Sequence, residues 1–493
     1  MKPAAEGMDT VGHRAAATVS GAAAGSVSGA DTVSPAKTPT AFAPGLATMV
    51  GQFRRGELSP VTVTQQLLDD IQADTAGINA FCLLDPDQAL AQAQAAQARY
   101  RAGAPLGPLD GVPVSVKDLV AVKGWPTRRG SLSSLTDPAA MQDAPAVTLL
   151  RNAGSVIFGK TTTTEFGWTI GSTNPHAGIT RNPRSLAHSA GGSSSGAAAQ
   201  VAAGWGPVAL GSDAGGSVRI PASWCGVVGF KPTFGAMPLA PQSAFAEFAH
   251  LGVLTRSVAD CAWAYSAMAG AHPLDPSSLY PRARNSLPGR CLRIGWATQV
   301  DADEALDPTI DAAFRQFVAH LGTAGYDLQP ADLRTEGLAE DMWRVWQSRI
   351  YESFIDWAPE KLALLDPRLS GVYEAGARLN QATLTRSRAR LRAFATRVAT
   401  LFSNIDVLLT PATSQVAPSL NAPVAASADA ENWFAGNGFA FPFNITQMPA
   451  VAMPLGVNAA GLPFGLQVVG RRYEDEQVLR FAAELELLRQ PTA

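Results

Sequence analysis

Cysteine, histidine and lysine are all scarce in this sequence. The four cysteines, Cys82, Cys225, Cys261 and Cys291, lie far apart in 493 residues, with no Cys-x-x-Cys pair and no Cys/His clustering. That spacing excludes a zinc finger or ribbon and offers no disulfide framework, so the thiols read as free in a reducing compartment. The six histidines form no His-Glu-x-x-His or His-x-Glu pattern, so no metal site is legible and none is expected. Charged residues make up 16% of the chain and the net charge is −3, with no basic stripe, which excludes nucleic acid and favours a small molecule as partner. No apolar run approaches the roughly 18 residues of a membrane span.

Residues 1–40 are rich in Ala, Gly, Ser and Thr and lack an apolar period, so they read as a disordered tail. Their apolar stretches are too broken for a secretory signal, and a cytoplasmic protein is expected. Residues 41–493 read as one large domain. Hydrophobic residues form 46% of the chain, enough for an extensive core.

Ser59-Pro60 and Asp85-Pro86 are capped starts for helices running to about Ala73 and Arg101. Short β-branched runs at Pro113–Lys117, Ser155–Gly159 and Pro207–Gly211 alternate with helical windows at 145–153 and 195–204, a pattern that predicts a largely parallel sheet covered on both faces. Further helices are expected at 257–269, 307–323, 337–357, 373–402 and 474–490. Strands are expected at 292–296, 406–410 and 450–454.

The chemistry concentrates in residues 191–222, GGSSSGAAAQVAAGWGPVALGSDAGGSVRIPA, where two glycine-serine turns flank a small-residue helix and an apolar strand. Gly215-Gly216-Ser217 can curl successive backbone N–H groups around an anion, as an oxyanion hole, a phosphate loop or an ordinary tight turn. A serine nucleophile needs a base, and no histidine presents itself: His176 and His188 approach the first turn without a partner acid. Lysine can serve when burial strips its proton, whereas arginine cannot. Only seven lysines stand among 38 basic residues, and Lys117, Lys160 and Lys231 all end buried-looking strands. Lys117 fits a base, but on these residues alone a structural pairing to adjacent Asp118 is the favoured reading, and sequence chemistry does not choose among the three.

The ordered set of Gly111–Asp118, Gly159–Thr162, Glu165-Phe166, Gly191–Gly196, Gly211–Pro221, Cys225–Thr233, Gly252–Asp260, Asp406–Pro411, Phe441–Asn444 and Gly461–Gly470 resembles the amidase signature family of Ser-cisSer-Lys hydrolases. The resemblance spans roughly residues 45–490. It implies a single α/β/α domain over 41–493, with a central twisted mixed sheet covered by helices on both faces and a signature core at about 107–235.

It further implies that Ser217 is the acyl-forming nucleophile, Ser193, after a cis Gly192–Ser193 peptide, the bridging serine, and Lys117 the base. The amides of Ala214, Gly215, Gly216 and Ser217 are expected to form the oxyanion hole, with Asp213, Arg219 and Ser194 as structural support. No cofactor is implied. The expected activity is hydrolysis of a carboxylic amide, with a homodimer admitted. Two alternatives stand beside it: a non-enzymatic anion-binding protein and a glutamine-hydrolysing amidotransferase subunit. Met141, Trp168, Ile170 and Phe439 lie in segments that approach the family's cleft, as do Trp433 and Phe434, which favours an apolar or aryl amide or carbamate. The apolar face of Trp343, Trp346, Ile350, Phe354 and Trp357 reads first as core.

Overall fold

The computed structural model describes residues 45–279, 287–300, 304–421 and 432–489. The tail expected over 1–40 lies outside them. One sheet of eleven strands runs through the chain. In chain order these are β1 (Phe81–Leu84), β2 (Pro113–Lys117), β3 (Val156–Thr161), β4 (Val208–Asp213), β5 (Val228–Lys231), β6 (His250–Thr255), β7 (Arg293–Trp296), β8 (Asp327–Pro330), β9 (Val407–Pro411), β10 (Ala450–Val457) and β11 (Pro463–Gly470). Their spatial order is β1-β3-β2-β4-β6-β5-β10-β11-β9-β7-β8.

The expectation of a largely parallel sheet is corrected here. The pairs β3–β2 and β2–β4 are parallel, as are β9–β7 and β7–β8, but every pair from β4 through β6, β5, β10 and β11 to β9 is antiparallel. The β10–β11 link is a short turn, and antiparallel neighbours need no crossover helix. The sheet is therefore mixed, as the family resemblance implies.

Alternation along β9 shows how the sheet divides the interior. Val407 and Leu409 belong to one buried apolar cluster and Leu408 to another, so the two clusters lie on opposite faces of that strand. The first cluster takes in the helices Leu46–Arg55, Pro60–Gln72 and Val258–Met268. The second takes in Leu338–Phe354 and Gln381–Leu401.

Helix starts follow their caps. The Ser59 hydroxyl accepts from the Val61 and Thr62 amides, and Asp85 accepts from Gln88. The single helix expected over 373–402 is two, Pro367–Ala377 and Gln381–Leu401, because Asn380 accepts the Thr383 amide at 2.8 Å and starts the second.

The strands β2 and β4 run parallel, with Val116 opposite Leu210. Their C-terminal ends, Lys117 and Asp213, consequently emerge at the same edge of the sheet, the edge where open α/β sheets gather ligands.

Candidate active site

Lys117 is fully buried at the end of β2. Its Nζ lies 2.7 Å from Ser193 Oγ, 2.9 Å from Ser194 Oγ and 3.3 Å from the Ser212 carbonyl. No carboxylate pairs with it among the described ion pairs. Burial drives its pKa well below the ordinary lysine value, against a smaller upward pull from the Asp213 charge.

The three lysines have different partners in the structure. Asp118, adjacent to Lys117 in sequence but in the turn that follows β2, pairs with Lys160 of β3 at 2.8 Å instead. Lys160 also donates to the Pro126 carbonyl and Thr127 Oγ1. Lys231 donates to the carbonyls of Pro232 and Met448. Only Lys117 of the three reaches serine hydroxyls.

Ser193 and Ser194 precede the helix Ser195–Ala203, whose small residues pack it into the sheet, and the Gly192–Ser193 peptide is cis. Ser194 Oγ donates to the Ser212 carbonyl at 3.1 Å, so toward Lys117 it can only accept. The second turn is held to the first through the backbone, the Ser194 amide donating to the Ser217 carbonyl at 3.1 Å. The described hydrogen bonds include none between the Ser193 and Ser217 hydroxyls. Both serines are buried.

Asp213 and Arg219, both fully buried, brace that turn. Arg219 Nε and Nη2 reach the two carboxylate oxygens at 3.0 and 2.9 Å, and the guanidinium also donates to the Ala440 carbonyl, Gln467 and Asn444. Burial pushes the Asp213 pKa up, but the Arg219 charge and hydrogen bonds override it and hold it far below the carboxylate range.

One member of the expected oxyanion hole is committed elsewhere. The Gly216 amide donates to Asp213 Oδ1 at 2.8 Å, because the carboxylate that braces the turn lies inside its curve. The amides of Ala214, Gly215 and Ser217 donate to no protein group among the described hydrogen bonds.

Of the expected pocket residues, Trp168, Ile170 and Phe439 are buried in the second apolar cluster together with Ala214, whereas Met141 is 88% exposed and belongs to neither cluster. The aromatic face of Leu338–Phe354 is core, as expected, at Trp343, Trp346, Ile350 and Phe354, whereas Trp357 lies beyond the helix end and is only partly buried; the middle of the face, at Trp346, reaches the site. Trp346 stacks on Phe245 at 3.6 Å between centroids and meets Trp433 and Phe434 edge-on. The Trp346 and Trp433 indole N–H groups both donate to the Trp168 carbonyl. A Cβ on Gly215 would stand 2.6 Å from the Trp433 ring, so this aromatic box forms a wall of the turn.

Two residues at the site carry no sequence signal of their role. Asn444 binds Asp213 from far along the chain. Glu165 is buried two residues before Gly167, where a Cβ would lie 3.2 Å from Ser193 Oγ. Both lie in segments that carry the family resemblance, without an assigned function. Among the described residues no group of three or more His, Cys, Asp or Glu is arranged to hold a metal, and no helix is long and apolar enough to cross a membrane.

Known proteins resemble this chain over most of its length. An acylamidase from Rhodococcus erythropolis is 34% identical over 458 residues, covering 90% of this chain and 94% of the relative. A subunit of glutamyl-tRNA(Gln) amidotransferase from Geobacter sp. (strain M21) is 32% identical, covering 88% of this chain and 95% of the relative. The solved structure of a bacterial aryl acylamidase of the amidase signature family superimposes with a TM-score of 0.81 at 26% identity, over 90% of this chain and 96% of that one. The family model described as Amidase matches residues 62–479, and the chain belongs to the amidase signature family of C–N hydrolases.

Proposed function

We propose that the protein hydrolyses an apolar or aryl amide or carbamate through an acyl-enzyme on Ser217. The observation that carries this reading is the environment of Lys117 Nζ. A neutral amine has two N–H groups and one lone pair. Ser212 offers only a carbonyl and Ser194 only an acceptor, so they take the two N–H groups and leave the lone pair for the Ser193 proton.

The steps follow from that pattern. Ser217 Oγ attacks the amide carbon as its proton passes to Ser193 Oγ and the Ser193 proton passes to Lys117 Nζ. The carbonyl oxygen becomes anionic against the amides of Ala214, Gly215 and Ser217. The C–N bond breaks as the protons return along the path to the departing nitrogen, which leaves as neutral amine or ammonia. Water, deprotonated by the same relay, attacks the acyl ester and releases the carboxylic acid with Ser217 restored.

The apolar preference is supported by the Trp168, Trp346, Trp433 and Phe434 box beside Gly215. The amidotransferase reading has the Geobacter relative in its favour, and the aromatic wall favours the acylamidase reading over it. Residues 41–493 are read as one amidase domain, supported by the single eleven-stranded sheet. The four free cysteines, with Cys225 pushed up to about 12 by burial, suit the cytoplasmic placement expected from the sequence. A homodimer is within the reading, and light scattering on the purified chain decides it.

The test is turnover of an amide panel covering aryl acylamides, fatty amides, carbamates, ureas and glutamine, with Ser217→Ala as control. Hydrolysis of aryl or apolar members, lost in Ser217→Ala together with fluorophosphonate labelling, is the expected result. Labelling that persists in Ser217→Ala overturns the nucleophile, and glutamine as the preferred substrate overturns the substrate class.

A further inference from the structure

We infer that Asn444 is a positioning residue of the oxyanion hole, acting through the peptide bond between Asp213 and Ala214. The inference rests on the acyl-enzyme reading above. In a trans peptide the carbonyl and the following N–H point in opposite directions within one plane. Whatever fixes the Asp213 carbonyl therefore aims the Ala214 N–H.

Asn444 is completely buried in the short helix Pro442–Ile445. Its Nδ2 donates to the Asp213 carbonyl at 3.0 Å, to Asp213 Oδ1 at 2.8 Å and to the Phe248 carbonyl at 3.1 Å. Its orientation is not ambiguous: Oδ1 takes a hydrogen bond from Arg219 Nη2 at 2.6 Å, and a guanidinium only donates. Arg219 thus sets Asn444, and Asn444 sets the peptide. A hydrogen bond on that carbonyl also polarises the unit and strengthens its N–H as a donor.

His250 supplies a weaker second hold. Its Nδ1 lies 2.8 Å from the Phe248 carbonyl and 3.3 Å from the Asp213 carbonyl. Both partners only accept, so Nδ1 carries the proton. At the other end of the turn the Gly216 carbonyl accepts the Ile220 amide at 2.7 Å, which fixes the Ser217 N–H by the same geometry. That second hold is local, while the first reaches across 231 residues from the other half of the chain. Asn444 does not touch the reacting atoms; it aims one donor that does.

The test uses the full chain, the best substrate of the amide panel and a trifluoromethyl ketone analogue of it, which forms a tetrahedral oxyanion on the nucleophile. In Asn444→Ala we expect kcat to fall about 10- to 100-fold, within or below the range for losing a direct oxyanion donor. KM should stay within a few-fold, and ketone affinity should fall by the same factor as kcat. The acid-side midpoint of the pH–rate profile should not move, because Lys117 is untouched, whereas general loosening of the site would shift it.

A kcat unchanged in Asn444→Ala overturns the inference, and so does a fall in kcat without a matching loss of ketone affinity. Should Asn444→Ala fail to fold, His250→Phe removes the second hold and leaves Asn444 and Arg219 in place. A smaller parallel fall in kcat and ketone affinity supports the inference, and no change overturns it. Absence of any turnover by the unaltered chain would instead sink the underlying hydrolase reading.

Discussion

Lys117 Nζ stands 2.7 Å from Ser193 Oγ, and no carboxylate shares it among the described ion pairs. Burial keeps this amine neutral at pH values where a free lysine is charged. A neutral amine accepts a proton and an ammonium does not, so activity should fall as pH drops through the depressed pKa of Lys117. The pH dependence of kcat/KM measures this, and a profile flat on its acid side counts against a lysine base.

The same burial makes Lys117 a cost to the fold. Its folded pKa lies below the unfolded value, so between the two the unfolded chain binds more protons, and stability rises with pH until the ordinary lysine range is passed. Lys117→Met removes that penalty. The variant should be inactive, yet unfold at neutral pH at a temperature equal to or above that of the unaltered chain, and its advantage should shrink as pH rises. Thermal unfolding across pH reads both; a destabilised variant with an unchanged pH slope would contradict it.

The Asp213–Arg219 pair behaves oppositely. Because Arg219 holds the Asp213 pKa far below its unfolded value, the stability it contributes is complete above the carboxylate range and is lost only as pH falls below it. It therefore contributes nothing to an acid limb of activity near neutrality. Asp213→Asn leaves a buried guanidinium without its counter-charge and should cost about 3 to 5 kcal/mol, read by urea unfolding. A loss under about 1 kcal/mol would mean that Asn444, Gln467 and the Ala440 carbonyl alone satisfy Arg219.

Much of this site is legible in the chain because it is local. The 24-residue interval from Ser193 to Ser217 holds one helix and one strand, so the two turns are bound to return to the same sheet edge. Caps such as Ser59 and Asp85 mark helix starts for the same reason. What separates the three lysines is not local. Lys117, Lys160 and Lys231 look alike until the sheet register sends Asp118 to Lys160. The clamp from Asn444 and the aromatic box from Trp168, Trp346, Trp433 and Phe434 arise from contacts far apart in the chain, and no spacing encodes them.

Glu165 adds a second pH dependence. Burial pushes its carboxyl up to about 7, against hydrogen bonds from Ser131 Oγ and the Asp366 amide, with Asp366 pushing further up and Arg368 pulling down. Its folded pKa lies above the unfolded one, so stability is greatest below the ordinary glutamate range and falls as pH rises through about 7. Glu165→Gln keeps an acceptor for the Asp366 amide and cannot ionise. Its unfolding temperature should match the unaltered chain at low pH and exceed it above neutrality. Parallel pH curves for the two proteins would show that Glu165 does not titrate in that window.

Trp433 stands as a wall beside Gly215, 2.6 Å from where a Cβ on that glycine would lie. Its ring is held by two anchors, the indole N–H on the Trp168 carbonyl at 2.9 Å and edge contact with Trp346 at 5.5 Å between centroids. Trp433→Ala removes an aromatic surface that an aryl or long apolar group would meet and that a small amide would not. The kcat/KM for an aryl amide should fall roughly 10- to 200-fold relative to a short aliphatic amide, the range for losing one apolar contact or a few. Gly215→Ala attacks the same contact from the other side: its methyl group would stand 2.6 Å from the ring, so either the indole or the turn must shift. A shift of the indole alone alters the substrate ratio, whereas a shift of the turn lowers kcat for every substrate. The ratio of aryl to aliphatic kcat/KM, measured in both variants, separates these, and a ratio unchanged in Trp433→Ala removes that residue from the substrate pocket.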